Sequence, residues 1–243
     1  MARLKDKVAI VTGAAAGFGE GIAKRFAEEG AKVVVADLNV RGAERVAGEI
    51  GDAAVPVQTD VSLKGEFEEM VAAAMQAFGR IDIMVNNAGF THMRGDPASV
   101  DEETFDLITA VNMKAIYHST LAVLPIMEKQ GGGVIINTAS MDGLRPRPGL
   151  AWFSASKGWT ITATKAMAID LAARNIRVNC ICPVAGDTAM LPRLAAGTTE
   201  EARERLARSI PMGRGWRHRW TWPTRRCGWL RTKPPSPPGS RWK

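Results

Sequence analysis

The chain has a single tyrosine in 243 residues, with three cysteines and three histidines. Three cysteines are too few for a disulfide framework. Cys180 and Cys182 alternate in the strand-like run IRVNCICPV and read as buried thiols. No metal site is expected. Long apolar runs are missing too, since no window approaches the roughly 18 to 20 uninterrupted apolar residues of a membrane helix. The opening stretch MARLKDKVAIVTG lacks the small-residue cleavage site of a secretory signal. A soluble, cytoplasmic protein with no membrane partner is expected. Acidic residues are absent from the last 29 positions, which hold eight of the 32 lysines and arginines. The rest of the chain sets 24 basic against 25 acidic side chains, a balance of −1, so the net charge of +7 belongs to the tail. The body has no basic excess that would mark a nucleic-acid partner.

What is present is a regular alternation. Between residues 7 and about 182, short β-branched runs (VAIVTG, KVVVADL, AVPVQTDV, IDIMVNNAG, GVIINTAS, IRVNCICP) are separated by segments of helical period. Near-continuous apolar strands between amphipathic helices predict a parallel sheet covered on both faces. The expected fold is a single α/β domain, a doubly wound parallel sheet of Rossmann type, with ligands at the carboxyl ends of its strands. A content of 46% hydrophobic residues is enough for one sizeable core.

The first strand runs into TGAAAGFGEGIAKRFAEEG. Gly13, Gly17 and Gly19, with Phe18 among them, open a helix directly after a strand. There a backbone without Cβ can approach a pyrophosphate, and the helix start offers N–H groups to that anion. Asp37 closes the second strand 18 positions after Gly19, followed by Leu38. A carboxylate at that place can bind an adenosine ribose diol, and its charge opposes a 2′-phosphate. NAD is therefore the expected cofactor, although Asp37 could also serve only to cap a turn.

TGAAAGFG, NNAG at 86–89, Asn112, Ser140 and the SASK ending at Lys157 together resemble the short-chain dehydrogenase/reductase family, in order and spacing from about residue 5 to residue 214. The resemblance implies that Asp60 and Val61 contact adenine and that Asn87, Ala88 and Gly89 line the cofactor. It also implies that PVAGDT covers the nicotinamide, with Pro183 at its start and Thr188 near the carboxamide. Plainer roles stand beside these: Asp60 as a helix N-cap, Asn86 and Asn87 as ties between strands.

The family's Asn–Ser–Tyr–Lys active site maps onto Asn112, Ser140, Phe153 and Lys157. In it the tyrosine hydroxyl moves a proton while hydride moves at the carbinol carbon, and the lysine lowers the tyrosine pKa from about 10. Ser140 would hold the substrate oxygen, Lys157 the nicotinamide ribose, and Asn112 a relay water. Phenylalanine at 153 keeps the ring and lacks the hydroxyl. The implied activity is NAD-dependent interconversion of a secondary alcohol and a ketone, strongly reduced by Phe153, in a homotetramer. A non-catalytic NAD-binding module is the alternative from another class. A 3-oxoacyl-thioester reductase type, usually NADPH-dependent, is the other, and Asp37 counts against it. Residues 187–213 form the expected substrate loop. Met141, Leu144, Trp152 and Met190 are candidate lining for a mostly uncharged small-molecule substrate, and Tyr117 reads as a packing residue.

Composition breaks after Arg214. Residues 215–243 carry five of the seven Trp and five of the 13 Pro with no helical or strand period. Reading GC-rich codons for these residues one base earlier permits ALWLASDEASFxTGVALE, a helix, a turn and a strand that resemble the family's usual ending. The tail is read as the product of a shifted frame, set apart from a catalytic domain at 1–214. The displaced seventh strand would leave a sheet edge uncovered at a subunit contact.

Overall fold

Six strands form one parallel sheet in a computed structural model that describes residues 2–184, 188, 190–194 and 200–201. They are β1 (Val8–Thr12), β2 (Lys32–Asp37), β3 (Ala54–Gln58), β4 (Ile83–Asn86), β5 (Gly133–Thr138) and β6 (Ile176–Ile181). The six apolar runs of the sequence are these six strands. Their order is β3-β2-β1-β4-β5-β6, and every pairing is parallel. The fold is the expected doubly wound Rossmann-type sheet.

The helices are α1 (Gly17–Glu28), α2 (Val40–Ile50), α3 (Lys64–Phe78), α4 (Glu102–Thr109), α5 (Ala115–Lys129), α6 (Ala151–Asp170) and the short α7 (Leu191–Leu194). The two-residue period of a strand sends alternate side chains into two cores. Ala9, Val11, Val33 and Val35 pack with Ala23 and Phe26 of α1 and with Val46 of α2. Ile10, Val34, Met84 and Ile135 pack with Phe67 and Met70 of α3 and with Val123 and Met127 of α5. Each large side chain removed from water in this way contributes about 1.5–3 kcal/mol, which is why β1 is apolar at nearly every position.

Local signals set the helix ends. The Asn39 side chain accepts from Gly42 N at 3.1 Å at the start of α2, and the Asp101 side chain accepts from Thr104 N at 2.8 Å at the start of α4. α3 stops at Gly79, which takes the left-handed conformation. One wide turn, Ala110–Lys114, joins α4 to α5. The resulting helix, Glu102–Lys129, is long and apolar enough to cross a membrane by length and composition. Ile108, Ala115, Ile116, Val123 and Met127 are buried along it, which makes it a core helix of this fold.

Two expectations need correction. Cys180 and Cys182 are free and half-buried, because β6 is the last strand of the sheet among the described residues and has a neighbour on one side only. Tyr117 is 57% exposed on α5 with its ring against His118, so it does not pack in the core. The boundary at 214, the tail and most of 187–213 lie outside the described residues.

Candidate active site

Connections leave β1 outward through β2 and β3 and then return to β4, so the strand order reverses between β1 and β4. A crevice forms at such a reversal, outside the carboxyl ends of the strands. Here it is a cleft of about 1160 Å³. Its wall is supplied strand by strand: Gly13 after β1, Asp37 ending β2, Asp60 beyond β3, Asn87 beyond β4, Ser140 beyond β5 and Pro183 beyond β6.

At one end no side chain among the described residues caps the N-terminus of α1, and Gly17 and Phe18 in its first turn line the cleft. An uncapped helix start beside a cavity suits an anion. Gly13 has φ +63° and comes so close to the next loop that a Cβ would lie 2.9 Å from Ala88 Cα. Gly19 does not line the cleft. A Cβ there would sit 2.0 Å from Gly13 O, so its role is to let α1 close against the turn.

Asp37 lines the cleft and also ties the turn. One carboxylate oxygen accepts from Ala15 N at 2.9 Å and the other from Asn39 N at 2.9 Å. Leu38 forms an open lip, 63% exposed. Asp60 accepts from Ser62 N at 2.8 Å and Ser62 Oγ at 2.7 Å, while its own N–H donates to the Glu66 carboxylate. It caps that turn rather than α3, whose N-cap is Leu63. Val61 beside it is buried and lines the cleft. Asn87 Nδ2 donates to Thr12 O at 3.0 Å and Gly13 O at 3.2 Å, and the N–H groups of Asn87 and Ala88 both donate to Thr12 Oγ1. Asn87, Ala88 and Gly89 line the cleft, whereas Asn86 Nδ2 reaches across to Asn137 Oδ1 at 2.9 Å and ties β4 to β5.

At the other end Phe153 and Lys157 lie one turn apart on α6, which packs against β6. Both are buried, and both line the cleft. Lys157 Nζ donates to Thr138 O at 2.8 Å and stands 5.8 Å over the Phe153 ring centre. Burial pulls its pKa down to about 8, against the opposing charge effect of Cys182. Ser140 Oγ accepts from Asp142 N at 3.1 Å. Pro183 and Thr188 complete the wall from the β6 side.

Asn112 is buried just behind the cleft wall, where a Cβ on the lining residue Gly89 would come within 3.4 Å of its Oδ1. It sits in the wide turn between α4 and α5, where its amide accepts from Phe90 N at 2.9 Å and donates to Phe90 O and Ser156 Oγ, each at 2.9 Å. Of the four apolar candidates only Met190 lines the cleft. Trp152 points round α6 to Phe105, edge to face at 5.4 Å, and donates Nε1 to Pro97 O at 3.1 Å. Leu144 is 54% exposed, and Met141 lies in the short turn after Ser140. The sequence reading missed Phe90, Arg94 and Arg147, which do line it. Their signal was position, since all three stand on loops that leave the carboxyl ends of β4 and β5.

The family model for short chain dehydrogenase matches residues 7–198. A 4-formylbenzenesulfonate dehydrogenase of Comamonas testosteroni is 42% identical over 87% of this chain and 85% of its own length. A 3-oxoacyl-[acyl-carrier-protein] reductase of Thermotoga maritima is 38% identical over 87% of this chain and 85% of its own. The crystal structure of a 3-ketoacyl-(acyl-carrier-protein) reductase from Brucella melitensis, complexed with NADH, superposes with a TM-score of 0.82 at 47% identity, covering 87% of this chain and 85% of that one.

Proposed function

Because the chain belongs to the short-chain dehydrogenase/reductase family, an oxidoreductase family, we propose that it is an NAD-dependent enzyme of secondary alcohols and ketones whose turnover is held down by Phe153. One observation carries the reading: a single cleft joins the uncapped start of α1 and Asp37 to Ser140 and Lys157. The residues fit a dinucleotide. Gly13 and Gly17 leave its pyrophosphate room beside the α1 amides, Asp37 offers a carboxylate to a ribose diol, and Asp60 and Val61 flank the adenine position. NAD, when bound, would supply the acceptor or donor of hydride.

The chain's own residues handle the oxygen and the proton. Ser140 Oγ already accepts one N–H and keeps its own O–H to donate to a substrate oxygen. Lys157, still largely protonated at neutral pH with its pKa near 8, holds a positive charge beside the reacting oxygen. Phe153 has no proton to give, and positioned acid–base catalysis is worth about 10²–10⁴-fold. Asn112 supports the floor by pinning Phe90 to α6 through Ser156. A cytoplasmic homotetramer is part of this proposal, and Tyr117 and Leu121 are exposed apolar side chains on α5 that an association of copies could cover.

The missing hydroxyl favours a second reading, a dinucleotide-binding module without turnover. Titration with NADH and NADPH, followed by fluorescence, tests the first requirement of both; saturable binding with NADH the tighter ligand is expected. Failure of NADH to bind ends both readings. Slow turnover of any secondary alcohol with NAD selects the enzyme.

A further inference from the structure

Charge divides the cleft into two unlike halves. Among its described lining residues the acids are Asp37 and Asp60, both at the β2 and β3 side where the dinucleotide's adenosine half is proposed to lie. The half that holds Ser140 and Phe153 is lined by Arg94, Arg147 and Lys157, with no acid among its described lining residues, and the Asp142 carboxylate stands behind that wall, paired with Arg147. From this asymmetry we infer that the substrate is an alcohol or ketone with an apolar body and an anionic group, a carboxylate or a sulfonate, received by Arg94 and Arg147. The inference rests on the proposed oxidoreductase reading and names its substrate class.

The two arginines are placed differently. Arg147 is anchored: Nε meets Asp142 Oδ1 at 2.5 Å and Nη2 meets Asp142 Oδ2 at 2.7 Å, with the Asp142 side chain only 3% exposed. That fork fixes the guanidinium and leaves Nη1 without a partner among the described residues. Asp142 follows Ser140 by two positions and donates its N–H to Ser140 Oγ, so the anchor is built into the same turn as the oxygen-binding serine. Arg94 has no acidic partner among the described residues. Its chain lies against Gly149, where a Cβ would come within 2.8 Å of Arg94 Cγ, and its backbone N donates to Arg193 O of α7 at 3.2 Å. Gly149 precedes α6 by two positions, which puts Arg94 on the Phe153 side of the cleft.

Lys157 is a poorer candidate for the anion, because it is buried and already bonded to Thr138 O. A planar guanidinium with unused N–H groups matches two oxygens of one anion. Phe90, Leu107, Val111 and Met190 line the same half and would cover the apolar body. The expectation of a mostly uncharged substrate rested on Met141, Leu144, Trp152 and Met190; of these Met190 lines the cleft, and the arginines add a charge that those four do not carry.

The test uses the full chain saturated with NAD⁺, so that an added ketone binds with no hydride to receive. 4-Acetylbenzoate, 4-acetylbenzenesulfonate and the neutral 4-acetylbenzamide are titrated by calorimetry. One or both anions should bind roughly tenfold or more tightly than the amide, as expected for a charge-assisted bond. Arg94→Gln should cut that preference to less than about threefold with amide affinity unchanged. Arg147→Lys, which keeps a cation opposite Asp142 and so protects the fold, should reduce it as well. Equal binding of anions and amide, no binding by either anion, or a preference that survives both substitutions overturns the inference. NADH affinity measured on the same preparations keeps the two ideas apart: if NADH binds and the anions show no preference, the substrate class alone falls.

Discussion

The Lys157 ammonium stands 5.8 Å over the centre of the Phe153 ring, in a position to act on a phenol that this chain lacks. Restoring the hydroxyl is therefore a conservative change. Phe153 lines the cleft, and a hydroxyl on its ring would lie near a cation that favours its ionised form. Phe153→Tyr is expected to raise turnover of a secondary alcohol by about 10²–10⁴-fold while leaving NADH affinity close to its starting value. Initial rates of NADH formation measure the first, a fluorescence titration the second. A gain under about tenfold would remove residue 153 from the proton-transfer position.

The sheet was legible because its strands are buried on both faces, and burial on both faces writes an unbroken β-branched run. The turn at Gly13 and Gly17 was legible for a similar reason, since a strand, three glycines and a helix leave few other conformations. What could not be read depends on direction. Trp152 and Phe153 are neighbours in sequence, but adjacent helical residues point about 100° apart, so the tryptophan reaches Phe105 while the phenylalanine reaches the cleft. Asn112 is committed to partners 22 and 44 positions away, through a wide turn that no local pattern announced. Arg147 is fixed by its fork on Asp142, a pairing within one loop that the sequence does not announce.

Asp37 should govern the choice of cofactor. Its two carboxylate oxygens each accept from a main-chain N–H, so Asp37→Asn removes the charge and keeps one of the two acceptors. Affinity for NADPH relative to NADH is expected to rise about tenfold, the size of one modest charge–charge interaction near a surface. Paired titrations of the two nucleotides read this ratio. No change in it would confine Asp37 to holding the turn.

Two glycine-to-alanine changes should act in opposite directions. A Cβ on Gly19 would meet Gly13 O at 2.0 Å and Asn87 Nδ2 at 2.6 Å, and the Gly13 carbonyl cannot swing aside. Gly19→Ala is expected to cost about 1–3 kcal/mol and to weaken NADH binding by spreading the turn. Gly48 lies on the exposed face of α2 with nothing within 4 Å of a new Cβ. Gly48→Ala is expected to add about 0.5–1 kcal/mol without touching the cleft. Urea melts of both variants, with NADH titrations alongside, check the pair.

Lys157 should make stability depend on pH in an unusual sense. Burial takes its pKa from 10.5 to about 8 in the folded chain, so between those values the unfolded chain binds more protons than the folded one. Stability contributed through this group therefore rises as pH increases from about 8 towards 10.5, the reverse of a lysine that gains a partner. Below pH 8 the buried charge costs about 3 kcal/mol, the full shift at roughly 1.4 kcal/mol per unit. Lys157→Met keeps the length of the side chain and removes the charge. In the absence of nucleotide the variant should be the more stable protein at pH 7, and its advantage should shrink by pH 10. Thermal melts of the two proteins across that range measure the difference, in which groups common to both cancel. A gap that stays constant with pH would mean that Lys157 titrates where an exposed lysine does, and its proposed charge beside the substrate oxygen would lose the desolvation that strengthens it.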